Sequence, residues 1–220
     1  MSNYLNVIYN KEDRPINSYP EKLISFLIKK YNLSSGLKIL EPGVGRGDFL
    51  NEFKKKGFIC YGCDISEHAG DEARGIEIKK GINFNTDILP YPNDFFDVIF
   101  SKSLMEHLVN PEHYLKEAYR ILKPGGKIIS LIPDWEANYK IYYDDHTHKT
   151  PFTIESLKNI LMMFKFTNIN VVKFRQLPNN WKYPLLDFVS SIISPFVPIR
   201  TKNKFLKWSR ELMLIGYGEK

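Results

Sequence analysis

The sequence predicts an α/β protein with a doubly wound, mostly parallel sheet of seven strands and helices on both faces, of the Rossmann-like type. Short apolar runs alternate along the chain with segments whose apolar residues recur at helical spacing. A glycine-rich loop follows the first apolar run, and the run 95–101 is apolar enough for a strand buried on both faces. Such alternation of strands and helices is typical of parallel sheets.

The composition is that of one globular domain, 1–220. The length suffices for one well-buried core, and no shift in composition marks a second one. The formal net charge is +6, but Lys and Arg are scattered among almost as many acids, so we expect a solvated surface rather than a nucleic-acid site. The N-terminus lacks the features of a signal peptide, and no apolar run reaches membrane-spanning length, so the expected location is cytoplasmic.

The N-terminal half supplies two strands and their helices. Residues 1–17 are expected to form an arm or flap, and Ser18 with Glu21 has the spacing of a capping box that starts a helix. The elements expected after this helix are, in order, a strand at 37–40, a glycine loop, a helix at about 46–56, a strand at 58–63, a short polar helix at about 66–73 and an extended stretch at 84–87.

The C-terminal half continues the alternation. Asn110 and Pro111 have the pattern of a helix start, and Thr153 that of a helix cap. The elements expected here are a strand at 95–101, the helix from Asn110, a break at 123–126, a strand at 127–132, the helix from Thr153 to about Phe164, a strand at 169–174, a helical insertion at 178–209 and an edge strand at 211–217.

The two cysteines are expected to be reduced. Cys60 and Cys63 lie three apart on a predicted strand, so their side chains point to opposite faces. The chain has no second cysteine pair that could complete a zinc site. Two buried thiols are therefore the preferred interpretation.

The stretch Glu41-Pro42-Gly43-Val44-Gly45-Arg46-Gly47 is the expected ligand site. Glycine permits positive φ and close approach, so a ligand can lie against the backbone where the next helix presents its N–H groups. The GxGxxG pattern of dinucleotide-binding loops is not met, because Asp48 stands at its last position. A carboxylate before the loop suits a cofactor with an ammonium group better than one with a pyrophosphate.

Six landmarks resemble, in order and spacing, the class I S-adenosylmethionine-dependent methyltransferases, specifically their small-molecule, type 11-like branch. The similarity runs from about Leu37 to Ile132. The landmarks are the glycine loop, Asp64, Asp87-Ile88, the strand 96–100, Glu106-His107-Leu108 and Arg120 to Gly126. The resemblance implies S-adenosylmethionine as the cofactor and S-adenosylhomocysteine as its product.

The resemblance also implies a set of cofactor-binding residues. Glu41 and backbone groups would hold the amino-acid end, Asp64 would accept from the ribose hydroxyls, and Asp87 with the Ile88 N–H would bind the adenine. Taken alone, Asp64 is also typical of a helix cap and Asp87 of a turn. The residues implied are Glu41, Gly43, Gly45, Asp64, Ile65, Asp87, Ile88 and Ser101.

Candidate catalytic residues lie just beyond the fifth strand, where the family places substrate-facing groups. His146 and His148 would share a face if the segment were extended, and either one, oriented by Asp144 or Asp145, could serve as a general base. The alternative is a polar loop whose histidines cap the helix from Thr153 or meet solvent. The expected reaction is methyl transfer to a hydroxyl of a small molecule, sugar or lipid-linked intermediate. N- or C-methylation of a small metabolite or quinone-type substrate, and a non-catalytic cofactor-binding regulator, remain alternatives.

The sequence contains part of a divalent-metal site but does not favour a bound metal. Glu106 and His107, with His146 or His148, resemble the metal sites of some quinone-biosynthesis and RNA-end methyltransferases. Those sites carry another Glu three residues before the Glu-His pair, where this chain has Ser103. The pair is also widespread in metal-free relatives, so the sequence favours a site without metal.

The insertion 178–209 is too apolar for a surface loop, and it ends in a basic stretch. We expect a substrate lid or a dimer surface; the alternative is a cover for a lipid-linked or glycan substrate that touches a membrane. The protein would then be a monomer or homodimer. A nucleic-acid substrate is not expected, because 101–104 reads Ser-Lys-Ser-Leu where nucleic-acid amino-methyltransferases carry an Asn/Asp-Pro-Pro-aromatic loop.

Overall fold

The computed structural model describes residues 17–198, 200–201, 203, 206, 210 and 212–220. The expected N-terminal arm therefore lies outside the described residues, apart from its last position. The strands are β1 Lys38–Pro42, β2 Ile59–Cys63, β3 Glu77–Lys79, β4 Phe96–Lys102, β5 Leu122–Pro133, β6 Thr167–Arg175 and β7 Leu212–Glu219. They form one seven-stranded sheet in the order β3-β2-β1-β4-β5-β7-β6.

Helices cover both faces of this sheet. They are α1 Tyr19–Tyr31, α2 Asp48–Lys55, α3 Pro111–Ile121, α4 Trp135–Asn138, α5 Ile154–Met163, α6 Pro178–Lys182 and α7 Pro184–Ile193. Two apolar clusters result, one beneath α1 and α2 and one beneath α3 and α5. The predicted doubly wound architecture is confirmed. Within the described part of the chain, no helix is long and apolar enough to cross a membrane.

The order in which the chain adds strands to the sheet reverses between β1 and β4. Both strands are parallel, with Ile39 opposite Val98, and the chain winds outward from them to either side. At such a switch point a crevice opens at the carboxyl ends of the two strands. Only β7 runs against its neighbours β5 and β6 in this sheet.

The expected helix at 66–73 is wrong, because these residues form turns. The Gly70 N–H donates to the Gly45 carbonyl at 2.8 Å, and the Glu72 N–H donates to the Arg46 carbonyl at 2.7 Å. The backbone thus bonds to the glycine loop instead of completing helical i→i−4 bonds. The segment braces the loop from the side.

The third strand lies earlier than expected. It occupies Glu77–Lys79 and pairs with β2, whereas 83–87 is a turn closed by the Asn83 N–H, which donates to Asp87 Oδ2 at 2.9 Å. The last strand was expected at an edge and instead lies between β5 and β6. A Cβ on Gly216 would lie 2.8 Å from Leu157 Cδ2, so the glycine permits close packing of α5 on an internal strand.

The sequence predicted the capping residue correctly at two helix starts and wrongly at one. Asn110 accepts from the His113 N–H, and Thr153 forms a capping box with Ser156. Ser18 makes no side-chain cap bond; the Asn17 side chain accepts from the Tyr19 N–H at 2.8 Å instead. The expected break at 123–126 lies inside β5, whose pairing with β4 shifts register between Phe96 and Val98.

Candidate active site

Glu41 lies in β1, with 2% of its surface exposed. The Leu50 N–H bonds to its carboxylate, but Oε2 has no hydrogen-bond partner among the described residues. Burial, and then the nearby Asp48, raise its pKa well above the usual range. An unpartnered buried carboxylate oxygen is costly unless a ligand satisfies it. The arrangement fits the ammonium end of S-adenosylmethionine.

The glycine loop also packs against the segment that follows β4. Gly43 has φ +69, and a Cβ there would lie 3.0 Å from Leu104 Cδ1. Leu104 belongs to the segment that follows β4. The loop and this segment therefore face each other at the switch point, where the sheet opens its crevice.

Asp64 follows β2 and holds the same loop. Its Oδ2 accepts the Gly45 N–H at 2.9 Å and its Oδ1 accepts the Ser66 N–H at 2.8 Å. Burial raises the pKa of Asp64, and these backbone bonds oppose the rise. A carboxylate has about four acceptor sites, so lone pairs remain for ribose hydroxyls. Ile65, beside it, is 40% exposed.

The predicted adenine-site residues form a turn of their own. Asp87 accepts from the Asn83 N–H and from Thr86 Oγ1, and these bonds hold its pKa below the usual range. The Ile88 side chain is 74% exposed. The turn alternative is thus what the structure shows, although Asp87 keeps acceptor capacity for an amino group. Ser101 is buried in β4, where its Oγ donates to Ser130 Oγ at 3.1 Å.

Glu106, His107 and His148 form a cluster beyond β4. One side-chain ligand atom from each lies within 4.8 Å of the others. Glu106 is fully buried, and neither carboxylate oxygen lies at normal hydrogen-bond distance from a partner in the described chain, although the Ser103 side chain and Lys102 are near enough to lower its pKa. Burial raises its pKa to about 8. These residues could hold a proton or a divalent cation.

Backbone bonds hold the loop after β5 against this turn. The Glu106 carbonyl accepts the N–H groups of Lys149 and Thr150 at 2.7 and 3.1 Å. The Thr150 hydroxyl also donates to the Leu108 carbonyl at 2.6 Å. Residues far apart in sequence are thereby fixed in one site at the carboxyl ends of β4 and β5.

The tautomer of His148 follows from its partner. Its Nδ1 lies 2.6 Å from the Tyr142 carbonyl oxygen, which can only accept, so Nδ1 carries the proton. Nε2 therefore presents a lone pair, 4.0 Å from Asp145 Oδ2. Such an imidazole is prepared to accept a proton.

His107 is fixed through a hydroxyl relay. Thr147 Oγ1 donates to Asp145 Oδ1 at 2.6 Å and therefore accepts from His107 Nδ1 at 2.9 Å. His107 Nε2 lies 3.9 Å from Glu106 Oε1. Burial and His148 lower the pKa of His107 to about 4, so this ring is neutral near pH 7.

The structure separates the predicted catalytic residues. His148 joins the cluster, whereas His146 is exposed, because the segment turns instead of extending. Asp144 pairs with Arg200 at 2.8 Å rather than with a histidine. Tyr142, through its carbonyl, orients His148, a role that the sequence assigned to an aspartate.

Two residues were missed by sequence reasoning. Thr147 follows Asp145 by two positions, the spacing of an Asx turn, and that spacing could have revealed it. Lys102 ends β4, and its charge opposes the rise in pKa of both Glu41 and Glu106. Lys102 thus lies within electrostatic reach of the cofactor site and of the cluster, with no local signal to mark it.

Similarity to curated proteins extends over the whole chain. An uncharacterized protein of Methanocaldococcus jannaschii is 30% identical over 216 residues, which cover 97% of this chain and 90% of that protein. The ubiquinone biosynthesis O-methyltransferase of Coxiella burnetii is 30% identical over 112 residues, 49% of this chain and 47% of that enzyme. This match spans about half the length of either protein.

Solved structures share the fold. A S-adenosylmethionine-dependent methyltransferase of Archaeoglobus fulgidus superimposes with a TM-score of 0.68 at 20% identity, covering 98% of this chain and 99% of that one. Phosphoethanolamine N-methyltransferase 2 of Haemonchus contortus, in complex with S-adenosylmethionine, gives 0.62 at 17% identity over 91% of this chain and 52% of that one.

A family model described as "Methyltransferase domain" matches residues 11–171, well over half of the chain. The cofactor of the family is S-adenosylmethionine, which the unpartnered Glu41 carboxylate fits. With the family match and the shared fold, the chain belongs to the class I S-adenosylmethionine-dependent methyltransferases.

Proposed function

We propose that this enzyme methylates a hydroxyl of a small molecule, a sugar or a lipid-linked intermediate, with His148 as the general base. The observation that carries the proposal is the tautomer of His148, whose Nδ1 is bonded to the Tyr142 carbonyl, so that Nε2 is the nitrogen left to accept a proton. A hydroxyl must lose its proton as it attacks, and a positioned imidazole can take it. Asp145, 4.0 Å from Nε2, would stabilise the resulting imidazolium.

The other residues bind and orient. When bound, S-adenosylmethionine supplies an electrophilic methyl carbon whose bond to sulfur breaks as the acceptor oxygen attacks. Glu41 would pair with its ammonium group, Asp64 would accept from the ribose hydroxyls, and Asp87 from the adenine amino group. Gly43 and Gly45 leave the backbone open to the cofactor, with Ser101 at the neighbouring strand.

The curated relatives support an oxygen or carbon acceptor. One is the O-methyltransferase of Coxiella burnetii, and another is a ubiquinone/menaquinone biosynthesis C-methyltransferase of Burkholderia vietnamiensis, 29% identical over 129 residues. C-methylation of a quinone-type substrate is thus the second candidate for the acceptor. Product analysis by mass spectrometry and NMR separates the two, because only O-methylation places the new methyl on oxygen.

A divalent cation is the second candidate for the deprotonation step. Glu106 with His107 and His148 offers one carboxylate and two imidazoles, a donor set suited to transition metals. The unpartnered Glu106 carboxylate favours this candidate. Turnover that survives a chelator supports His148 as the base, whereas turnover lost to chelator and restored by a divalent cation supports the metal.

Paired histidine substitutions test the base. We expect His148→Ala to lower kcat by about a hundredfold or more at unchanged affinity for S-adenosylmethionine, since base catalysis contributes about that factor. His146→Ala is the matched control and should retain turnover, because His146 is exposed outside the cluster. Release of S-adenosylhomocysteine with a panel of hydroxyl acceptors gives the rate. Full turnover by His148→Ala would contradict the proposal.

A further inference from the structure

Helix α7 bonds to the rest of the fold through polar side chains, of which Asp187 is half exposed, and its apolar side faces outward. Inward, Asp187 accepts from Arg175 Nη1 at 2.9 Å, and Ser190 Oγ accepts from the buried Asn180 at 3.0 Å. This is the reverse of an ordinary surface helix, which buries its apolar stripe. The side chains of the outward stripe and their exposed fractions are Leu185 73%, Phe188 63%, Val189 41%, Ile192 54% and, in the following turn, Phe196 84%; Leu186 and Ile193 beside it are 43% and 48% exposed.

The spacing shows that these side chains form one stripe. Positions 185, 188, 189, 192 and 196 repeat at three and four residues, which places them on one side of a helix. Contiguous apolar surface of this kind on a protein marks an interaction site. The inward polar bonds fix the helix orientation, so the stripe remains outward.

The stripe lies at the same edge of the sheet as the active site. β5 ends at Pro133 opposite Met213, and β6 ends at Arg175 opposite Leu212, so the segment between β6 and β7 leaves from the carboxyl edge. Arg200 then pairs with Asp144 in the loop that carries His148. A surface that received α7 would therefore lie at the edge of the sheet that carries the active site.

The charge of the segment identifies the surface. Between β6 and β7, residues 176–211, the sequence has six basic residues and two acidic ones, Glu211 and Asp187, of which Asp187 is paired with Arg175. The basic residues are Lys182, Arg200, Lys202, Lys204, Lys207 and Arg210. A segment with a net positive charge and an apolar stripe is attracted to anionic lipid headgroups. Two copies of this chain meeting through the segment would instead bring like charges together.

We propose that the outward stripe of α7 inserts into the interface of an anionic lipid bilayer. The apolar side chains would enter the headgroup boundary, while the net positive charge of the segment attracts anionic headgroups. The docked enzyme would then take an amphiphilic acceptor directly from the membrane. This last consequence rests on the proposed hydroxyl methylation, but docking itself does not.

Vesicle flotation tests the proposal with the full chain. The probes are vesicles of phosphatidylcholine with phosphatidylglycerol, and vesicles of phosphatidylcholine alone. We expect flotation with the anionic vesicles, reduced at least about tenfold with the neutral ones and by high salt. Phe188→Ser with Ile192→Ser should reduce binding to anionic vesicles about tenfold or more, because two inserted apolar side chains are lost.

The matched control is Met162→Ser with Met163→Ser. These exposed residues end α5, before β6 begins at the opposite edge of the sheet, and should leave flotation unchanged. Absence of wild-type flotation, or equal loss in both double variants, would overturn docking. Docking would also be overturned if the wild-type protein were a dimer that does not float and the Phe188 and Ile192 substitutions dissociated this dimer. A second copy of the chain would then cover the stripe. Flotation needs neither cofactor nor turnover, so its failure is distinct from failure of the proposed reaction.

Discussion

At the scale of the residue, the buried carboxylate of Glu41 lowers the stability of the folded protein and is suited to bind the cofactor. Its carboxylate is buried without a partner for Oε2, which an ammonium group would supply. Burial raises its pKa above the ordinary 4.5. Because the folded state holds this proton more tightly than the unfolded chain, the stability that Glu41 contributes is lost as pH rises above about 4.5.

We therefore expect Glu41→Gln to raise the free energy of unfolding at neutral and alkaline pH and to flatten its decline with pH. Urea unfolding across the pH range measures this. Glu155→Gln, a change at an exposed carboxylate in α5, is the control and should leave the pH dependence as it is. A destabilised Glu41→Gln protein at alkaline pH would contradict the assignment.

The same carboxylate predicts the pH dependence of cofactor binding. An ionised Glu41 attracts the ammonium of S-adenosylmethionine, and its raised pKa keeps it protonated to higher pH than an ordinary carboxylate. The affinity of the wild-type protein for S-adenosylmethionine should thus increase as the pH rises from about 4.5 through the raised pKa of Glu41. Isothermal titration calorimetry should find Glu41→Gln weaker by about tenfold or more and without that increase. Equal affinity for both proteins would rule out the ammonium pairing.

Thr147 is a positioning residue whose hydroxyl links Asp145 to His107. Thr147→Val should lower kcat up to about tenfold, since one hydrogen bond contributes about 1 kcal/mol, with cofactor affinity unchanged. Thr147→Ser keeps the hydroxyl and should restore turnover. Steady-state kinetics measure both, and a Ser variant as slow as the Val variant would assign the effect to packing.

At this scale the cofactor-binding residues stay predictions from the sequence. Glu41 lies in β1 and Asp64 follows β2, at the strand ends where their spacing predicted them, whereas Asp87 lies in a turn instead of the expected extended stretch. The cluster joins Glu106 and His107 to His148 through backbone bonds between distant loops. The direction of a loop depends on those tertiary bonds, and periodicity could not choose between His146 and His148.

At the scale of the element, helix starts give a quantitative contrast. Thr153 satisfies the first turn of α5, whereas Ser18 makes no cap bond at α1. Thr153→Ala should cost about 1 kcal/mol of unfolding free energy, and Ser18→Ala close to none. Denaturant unfolding with equal m-values measures both. Equal losses would mean that the cap geometry does not decide the effect.

Helices and strands were predicted correctly where the apolar periodicity is strong. The predictions were wrong where hydrogen bonds to distant residues determine the conformation of a segment. Strand β4 and helices α3 and α5 follow from their patterns. The sequence of residues 66–73 is compatible with a polar helix, but the N–H groups of Gly70 and Glu72 bond to the carbonyls of Gly45 and Arg46 instead. Strand β3 has three residues and depends on its pairing with β2, so no sequence period could mark it.

At the scale of the whole molecule, cofactor binding and unfolding are linked. A ligand that binds only the folded state stabilises it by about 2.7 kcal/mol when present at about a hundred times its Kd. S-Adenosylmethionine and S-adenosylhomocysteine should both raise Tm by the corresponding amount. Gly43→Ala should lose most of this shift, because φ is +69 and its Cβ would meet Leu104 at 3.0 Å. Thermal unfolding with and without ligand measures it, and an undiminished shift would contradict the role of the loop.

The alternation of elements predicted the fold class but not the order of the last strands. An apolar segment with glycines reads equally well as an edge strand or an internal one. Its place between β5 and β6 depends on how Leu157 and Phe166 pack over Gly216 and Gly218. The sequence likewise marked the insertion as apolar, but only the inward Asp187–Arg175 pair shows which side of α7 faces out.

The position of β7 also sets the order of assembly during synthesis. Residues Leu212–Glu219 fill the gap between β5 and β6, so both strands lack one neighbour until this last segment leaves the ribosome. Until then β5 has a free edge and β6 has no strand partner, and unpaired strands are templates for aggregation. The half of the sheet built from β1 to β4 can form earlier, whereas the half that carries α7 can be completed only after translation has passed residue 219.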